Sequence, residues 1–209
     1  MFWLISGLLL LVISAVCVFT CGLIDPFQRN IIYFHVPVAV GSLIFFAVLF
    51  VFSILYLVKQ DVKYDLLAAA SGRVGFIFSI LMNLSGMLFS RIEWNVWWTP
   101  SPRLISSAIL GFLYFAYILL RASLHSEKKR SKIAAVFAIM AFIDVPIVFI
   151  TARFIPDIHQ PSFSFDNPWQ HFSLITAIIG AIALGSFCVL SMTQSFTKKR
   201  LVNIENKRK

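Results

Sequence analysis

Six long apolar runs constrain the fold of this 209-residue sequence more than any other feature. A bilayer hydrocarbon core about 30 Å thick requires about 20 apolar residues for each crossing helix. Runs of suitable length cover residues 2–24, 31–58, 66–90, 104–120, 133–152 and 172–196. The composition agrees, since 59% of the residues are hydrophobic and only 13% are charged, against about 25% charged in soluble domains. We therefore predict an all-α, polytopic membrane protein with six transmembrane helices that form one domain over residues 1–209.

The distribution of charge predicts the orientation of the chain in the membrane. Its 18 Lys and Arg against 9 Asp and Glu give a formal net charge of +9, which alone fits either nucleic acid or a membrane surface. Most of the basic residues follow the second, fourth and sixth runs: Lys59, Lys63, Arg121, Lys128, Lys129, Arg130, Lys132, Lys198, Lys199, Arg200, Lys207, Arg208 and Lys209. Because cytoplasmic loops are enriched in Lys and Arg, we expect both termini in the cytoplasm and no nucleic-acid partner.

The segment between the third and fourth runs is rich in tryptophan and lies on the opposite, outer side. It reads RIEWNVWWTPSP over residues 91–102. Trp94, Trp97 and Trp98 are spaced i, i+3 and i+4, so one helical turn would present them as a single aromatic face along the membrane interface. Two prolines would end that turn: Pro100 and Pro102.

Three of the four histidines lie on the same outer side: His35, His159 and His171. Two interpretations of the tryptophans and histidines are open. An ordinary interfacial belt contains tryptophan, and histidine near a helix end is commonly solvated. Alternatively, a porphyrin requires imidazole on its iron, aromatic faces against its macrocycle and cations for its propionates. Histidines on either side of the tryptophan segment would then give six-coordinate iron with two imidazole ligands.

One acidic residue lies inside a predicted span. Asp144 is near the middle of the fifth run, where an ionised carboxylate is costly and requires a partner or a proton. Pro146 cannot donate to the carbonyl of Phe142 and should kink the helix. These residues predict a bent segment whose carboxylate faces inward, with Arg73 as one conceivable partner.

The sequence contains no standard catalytic constellation. It lacks a glycine-rich phosphate loop, an HExxH motif and a GxSxG motif, which argues against ATP hydrolysis and common hydrolase chemistry in this chain. Its three Cys, at positions 17, 21 and 188, have neither zinc-site nor CxxCH spacing, so covalent heme attachment is not expected. We expect a binding or assembly role rather than an enzymatic one.

Four sequence pieces together resemble one known family. The segment IIYFHVPVAV around His35, the loop WNVWWTPSPRL, the stretch FIDVPIVF and the HQP at His159 occur in matching order over residues 30–165. They are similar to the cytochrome c maturation protein C family, also named heme exporter protein C. This family belongs to a heme-handling group defined by a tryptophan-rich outer loop.

The resemblance implies a multi-pass protein of a bacterial-type inner membrane that binds heme b non-covalently at the outer leaflet. It further implies delivery of the heme to a membrane-anchored periplasmic heme chaperone, together with ABC-transporter subunits and a small accessory membrane subunit. His35 and His159 match the family's two axial iron ligands, whereas His171 matches no ligand position. The other matches to heme-contacting positions are Trp94, Trp97, Trp98 and Arg103.

One part of the loop departs from the family pattern. The family loop usually closes with Trp-Asp before the arginine that matches Arg103, and those positions here are Pro100 and Ser101. One aromatic face and one carboxylate are therefore missing where the heme edge and the chaperone would be held. We expect the propionates to meet Arg103 with either Arg153 or Arg91.

Two other functions fit the same composition. A cytochrome b-like electron-transfer or quinol-reactive subunit also uses paired histidines, but typically within helices, whereas His159 stands in a loop between Pro156 and Pro161. A small-molecule permease would use Asp144 and Arg73 along its pathway. Heme delivery accounts for more of the outer residues than either alternative.

Overall fold

A computed structural model describes residues 1–23, 30–155, 165 and 167–206, and the regular structure of these residues is helical throughout. The α-helices are α1 Phe2–Cys17, α2 Ile32–Lys59, α3 Val62–Trp94, α4 Pro102–Ser123, α5 Glu127–Ala141, α6 Asp144–Phe154 and α7 Pro168–Asn206. A π-helical turn continues α1, and α5 with α6 forms one interrupted segment. Among the described residues, six segments are long and apolar enough to cross a membrane, which confirms the predicted all-α fold with six transmembrane helices.

The longest helices extend past the apolar runs that predicted them. Helix α3 has 33 residues and α7 has 39, because Lys, Arg and Glu end an apolar run but are good helix formers. At the start of α3, the Asp61 carboxylate caps the helix by accepting a hydrogen bond from the backbone N–H of Lys63 at 2.9 Å. This hydrogen bond lowers the pKa of the Asp61 carboxyl below its usual value.

Antiparallel packing gathers the helix ends into two opposite faces, each named here by its residues. The tryptophan end comprises residues 17–23, 30–35, 85–107, 151–155 and 167–173, and the basic end comprises residues 1–6, 56–65, 117–132 and 196–206. Next to the tryptophan end, the Ser14 hydroxyl donates to the Ser173 carbonyl at 2.7 Å and joins α1 to α7. At the basic end, Arg200 of α7 pairs with Glu127 at the start of α5.

The main core lies between α2, α3, α4, α5 and α6. Phe46 and Tyr114 are completely buried, and their rings are stacked with centroids 3.4 Å apart. Leu49 and Leu110 are also completely buried in this cluster. Helix α1 packs mainly against α7, so it forms one edge of the bundle rather than part of its centre.

The fifth span is interrupted at the position predicted from proline. Helix α5 ends at Ala141 and α6 begins at Asp144, just before Pro146. Since proline has no N–H for the carbonyl of Phe142, that carbonyl accepts instead from the backbone N–H of Val145 at 3.0 Å. The predicted kink is therefore present as a break between two helices.

Charge pairing inside the bundle differs from the pairing considered in the sequence. Asp144 is 7% exposed, and its Oδ2 has no hydrogen-bond partner among the described residues. Arg73 is not its partner, because the guanidinium lies over the Phe196 ring at 4.5 Å. Arg121 forms a bidentate pair with Asp65, with N–O distances of 2.6 and 2.9 Å. Their side chains are 10% and 3% exposed, so the Arg121 side chain is largely enclosed by the bundle rather than solvated in a loop.

The packing of α1 on α7 requires glycine at position 7. A Cβ added to Gly7 would lie 2.9 Å from the backbone N of Leu184 and 3.1 Å from the carbonyl O of Gly180. We expect Gly7→Ala to lower the free energy of unfolding by about 1–3 kcal/mol, because overpacking separates the helices. Gly111→Ala is the matched control, since its Cβ would meet nothing closer than 3.9 Å. Thermal unfolding in detergent compares them, and equal midpoints would contradict the prediction.

Candidate functional site

His35 lies at the tryptophan end, in the first turn of α2, and is half-buried. Its Nδ1 is 2.9 Å from the hydroxyl oxygen of Ser85 on α3. The next residue, Gly86, also faces the ring, because a Cβ added there would lie 3.2 Å from His35 Cε1. Helix α3 therefore supports the Nδ1–Cε1 edge of the imidazole. Sequence reasoning missed this contact, for which the available signal is a Ser-Gly pair within an apolar run.

The three tryptophans do not form the predicted single helical face. Helix α3 ends at Trp94, and Asn95 adopts a left-handed conformation at its C-cap, with φ 58° and ψ 22°. Asparagine adopts this conformation at lower cost than most residues and occurs at helix C-termini. Trp97 and Trp98 follow the helix in irregular chain. The prediction of one helical turn was wrong because the helix ends before the second tryptophan.

The tryptophans differ in exposure. Trp94 is partly buried and packs edge-on against Phe89, with ring centroids 5.3 Å apart. Trp97 is 56% exposed and Trp98 is 45% exposed. Exposed indoles at a membrane interface provide flat apolar faces with a polar edge. Trp97 and Trp98 therefore offer the larger surface to a ligand, and Trp94 anchors the segment to the bundle.

Arg91 orders the beginning of this segment. Its Nη1 donates to the carbonyl oxygen of Asn95 at 2.6 Å and also to the side-chain oxygen of Asn95. The guanidinium carbon is 5.8 Å from the Trp97 ring centroid, within the range of about 6 Å for a cation–π contact. Arg91 is thus engaged with the tryptophan segment itself.

The two prolines have a different role from the predicted one. No helical turn precedes them, and Pro102 instead begins α4, where a missing N–H has no cost. Ser101 is the N-cap, and its hydroxyl oxygen accepts a hydrogen bond from the Leu104 N–H at 3.4 Å. Arg103 follows in the first turn of α4 and is half-buried. The tryptophan segment is therefore held by Arg91 at its beginning and by the Ser101 cap at its end.

The remaining described candidates lie on other helices of the tryptophan end. Arg153 is exposed near the end of α6. His171 is exposed in the first turn of α7 and lies edge-on to Phe165, with ring centroids 4.6 Å apart. Together with Asn167 and Pro168, these two side chains line a cavity of about 380 Å³. His159, the predicted second ligand, lies outside the described residues.

The His, Cys, Asp and Glu side chains of the described residues restrict the kind of metal centre that the protein can hold. Within the part of the chain that the structure describes, no three His, Cys, Asp or Glu side chains converge on a common point. A structural zinc site needs four protein ligands. Iron in a porphyrin takes one or two ligands from protein, because the macrocycle supplies the others. A single protein imidazole at the same end as exposed indoles is therefore compatible with porphyrin-bound iron.

Several known proteins similar to this chain are described as heme exporter proteins. A family model described as Heme exporter protein C matches residues 1–209. Heme exporter protein C of Escherichia coli strain K12 is 26% identical over 205 residues, which cover 93% of this chain and 82% of that protein. The protein of the same name from Bradyrhizobium diazoefficiens is 24% identical over 192 residues, covering 87% and 73%. The Haemophilus influenzae protein is 25% identical over 131 residues, covering 63% and 53%.

Proposed function

Because the chain belongs to the heme exporter protein C family, we propose that it binds heme at the tryptophan end and delivers it to a periplasmic acceptor. Family membership and six apolar helices give the general function, heme handling in cytochrome c maturation by a multi-pass membrane protein. The proposal adds the site. His35 and His159 ligate the iron of non-covalently bound heme b, and Trp97 and Trp98 cover the macrocycle.

The observation that best supports this site is an imidazole braced against α3 at the same end as two exposed indoles. His35 is half-buried, and its ring is held through Nδ1 by Ser85. Trp97 and Trp98 supply flat faces, and Arg103 with Arg153 supplies positive charge for the propionates. A reversible carrier needs such a shallow site, because a ligand enclosed by the bundle is slow to leave.

The charge distribution supports an orientation for the proposal. Lysines and arginines are concentrated at the basic end, and cytoplasmic loops are enriched in these residues. We therefore place both termini in the cytoplasm and the tryptophan end at the periplasmic face of a bacterial inner membrane. A membrane-anchored heme chaperone would approach the tryptophan end, while ABC-transporter subunits and a small accessory membrane subunit are the proposed partners within the complex.

Pro100 and Ser101, which replace the family's Trp-Asp pair, affect heme transfer more than heme binding in this proposal. Ser and Asp are both favourable N-caps, so Ser101 preserves the start of α4 that an aspartate would provide. Compared with the family's Trp-Asp pair, the segment lacks one negative charge and one aromatic face. We propose that heme binding is retained and that the surface offered to the acceptor differs from that of other family members.

The test uses the full chain purified in detergent from heme-replete cells. We expect a Soret band, and we expect heme-free protein titrated with hemin to regain it. Mixing the heme-loaded protein with a heme-free soluble chaperone domain should move the Soret absorbance to that domain. Absence of any Soret band in both preparations would overturn the proposal. Retention of heme with rapid reduction by quinol would favour the electron-transfer function.

A further inference from the structure

We propose that Ser85 and Gly86 of α3 are positioning residues that set the tautomer and the orientation of the His35 ring. The proposal rests on the proposed function, since it explains how the proposed iron ligand is prepared. The Ser85 hydroxyl lies within hydrogen-bond distance of the imidazole, and the missing Cβ of Gly86 leaves space that the ring requires. Ser85 is 5% exposed, so water competes little for its hydroxyl.

The hydrogen bonds of Ser85 determine which nitrogen of His35 carries a proton. The Ser85 hydroxyl oxygen is 2.7 Å from the Leu81 carbonyl oxygen and 3.1 Å from that of Met82. It is also 2.9 Å from His35 Nδ1. A hydroxyl has one proton, and carbonyl oxygens only accept. The proton therefore goes to the preceding turn of α3, and the hydroxyl oxygen accepts from His35 Nδ1–H.

This tautomer is the one that an Nε2 iron ligand requires. With the proton on Nδ1, the lone pair of the neutral imidazole is on Nε2. Metal-ligating histidines usually donate the other N–H to an acceptor, which fixes the ring and raises the basicity of the ligating nitrogen. The Ser85 hydroxyl, itself polarised by its bond to Leu81, is such an acceptor.

Gly86 leaves space for the His35 ring next to Ser85. Its missing Cβ would lie 3.2 Å from His35 Cε1, which is closer than an ordinary carbon–carbon contact. Alanine at this position would push the ring outward while leaving the Ser85 hydroxyl in place. Gly86→Ala is therefore expected to change the orientation of the His35 ring, whereas Ser85→Ala removes the hydrogen bond to His35 Nδ1.

The tautomer is tested first without heme. Heme-free protein labelled with ¹⁵N-histidine is observed by ¹⁵N–¹H correlation at about pH 8, where free imidazole is neutral, and His35→Gln identifies the His35 signals. We expect the proton on Nδ1 in the wild type and in Ser85→Thr, which keeps the hydroxyl. Ser85→Ala should move a substantial part of the proton to Nε2. A proton on Nε2 in the wild type would overturn the proposal.

The second test uses hemin as the probe. We expect Ser85→Ala to bind hemin about 10-fold more weakly and to show a higher heme midpoint potential, because a less basic imidazole stabilises ferric iron less. Ser85→Thr should restore both values. A wild type that binds hemin, with Ser85→Ala unchanged in affinity and potential, would overturn this inference and leave the proposed function standing. A wild type that binds no hemin would overturn the proposed function, while the NMR measurement still decides the tautomer.

Discussion

Replacing His35 by alanine is expected to lower the affinity of the chain for heme by more than about 100-fold, beyond the loss typical of removing a supporting contact. Alanine offers the iron no lone pair, whereas the Ser85 and Gly86 contacts hold the native imidazole in one orientation. Hemin titration of heme-free protein, followed at the Soret band, measures the change. The same variant should remain folded, because His35 is only half-buried and its hydrogen bond to Ser85 contributes about 1 kcal/mol.

His125→Ala is the matched control for this experiment. His125 is exposed at the basic end, between α4 and α5, so its removal should change heme affinity by no more than about 2-fold. A His35→Ala protein that binds hemin as tightly as His125→Ala would contradict the assignment of His35 as a ligand.

The same titration distinguishes the two candidates for the second ligand. We expect His159→Ala to weaken binding and change the Soret spectrum, as His35→Ala does, and we expect His171→Ala to behave as the wild type. The His171 ring packs against Phe165, and both side chains line a cavity with Asn167 and Pro168. Loss of binding with His171→Ala but not with His159→Ala would transfer the second ligand to α7.

The features predictable from the sequence were those that one helix determines alone. Long apolar runs predicted the spans because lipid imposes the requirement on each helix separately, and Pro146 predicted the break because the missing N–H acts locally. Pairing between helices was not predictable in this way. Arg121 was grouped with the loop charges, yet its partner Asp65 lies 56 positions earlier in the chain.

In the candidate site too, features set by one helix were predictable and contacts between helices were not. The position of His35 near a helix start followed from the beginning of an apolar run. The tryptophan spacing misled because helical periodicity applies only where the helix continues, and α3 ends at Trp94 before a residue with positive φ. The Ser85–His35 contact depends on the rotation of α2 relative to α3, which the apolar pattern of neither helix specifies.

Asp65→Ala is expected to lower the free energy of unfolding by about 3–5 kcal/mol, because it leaves the Arg121 guanidinium buried without its carboxylate. The pair has two short hydrogen bonds of 2.6 and 2.9 Å, and both side chains are nearly inaccessible to solvent. Tyr117 offers the guanidinium only a hydroxyl at 3.5 Å, which cannot neutralise its charge. Reversible unfolding in mixed micelles with increasing SDS measures the loss.

The exposed pair Glu127–Arg200 provides the control, since its side chains are 44% and 37% exposed. Glu127→Ala should cost no more than about 1 kcal/mol, because solvent screens the pair and the remaining arginine stays hydrated. The double variant Asp65→Leu with Arg121→Met should recover most of the loss of Asp65→Ala, because neither charge is then buried. Equal losses for Asp65→Ala and Glu127→Ala would contradict the burial argument. A double variant as unstable as the single one would instead attribute the loss to packing around α3 and α4.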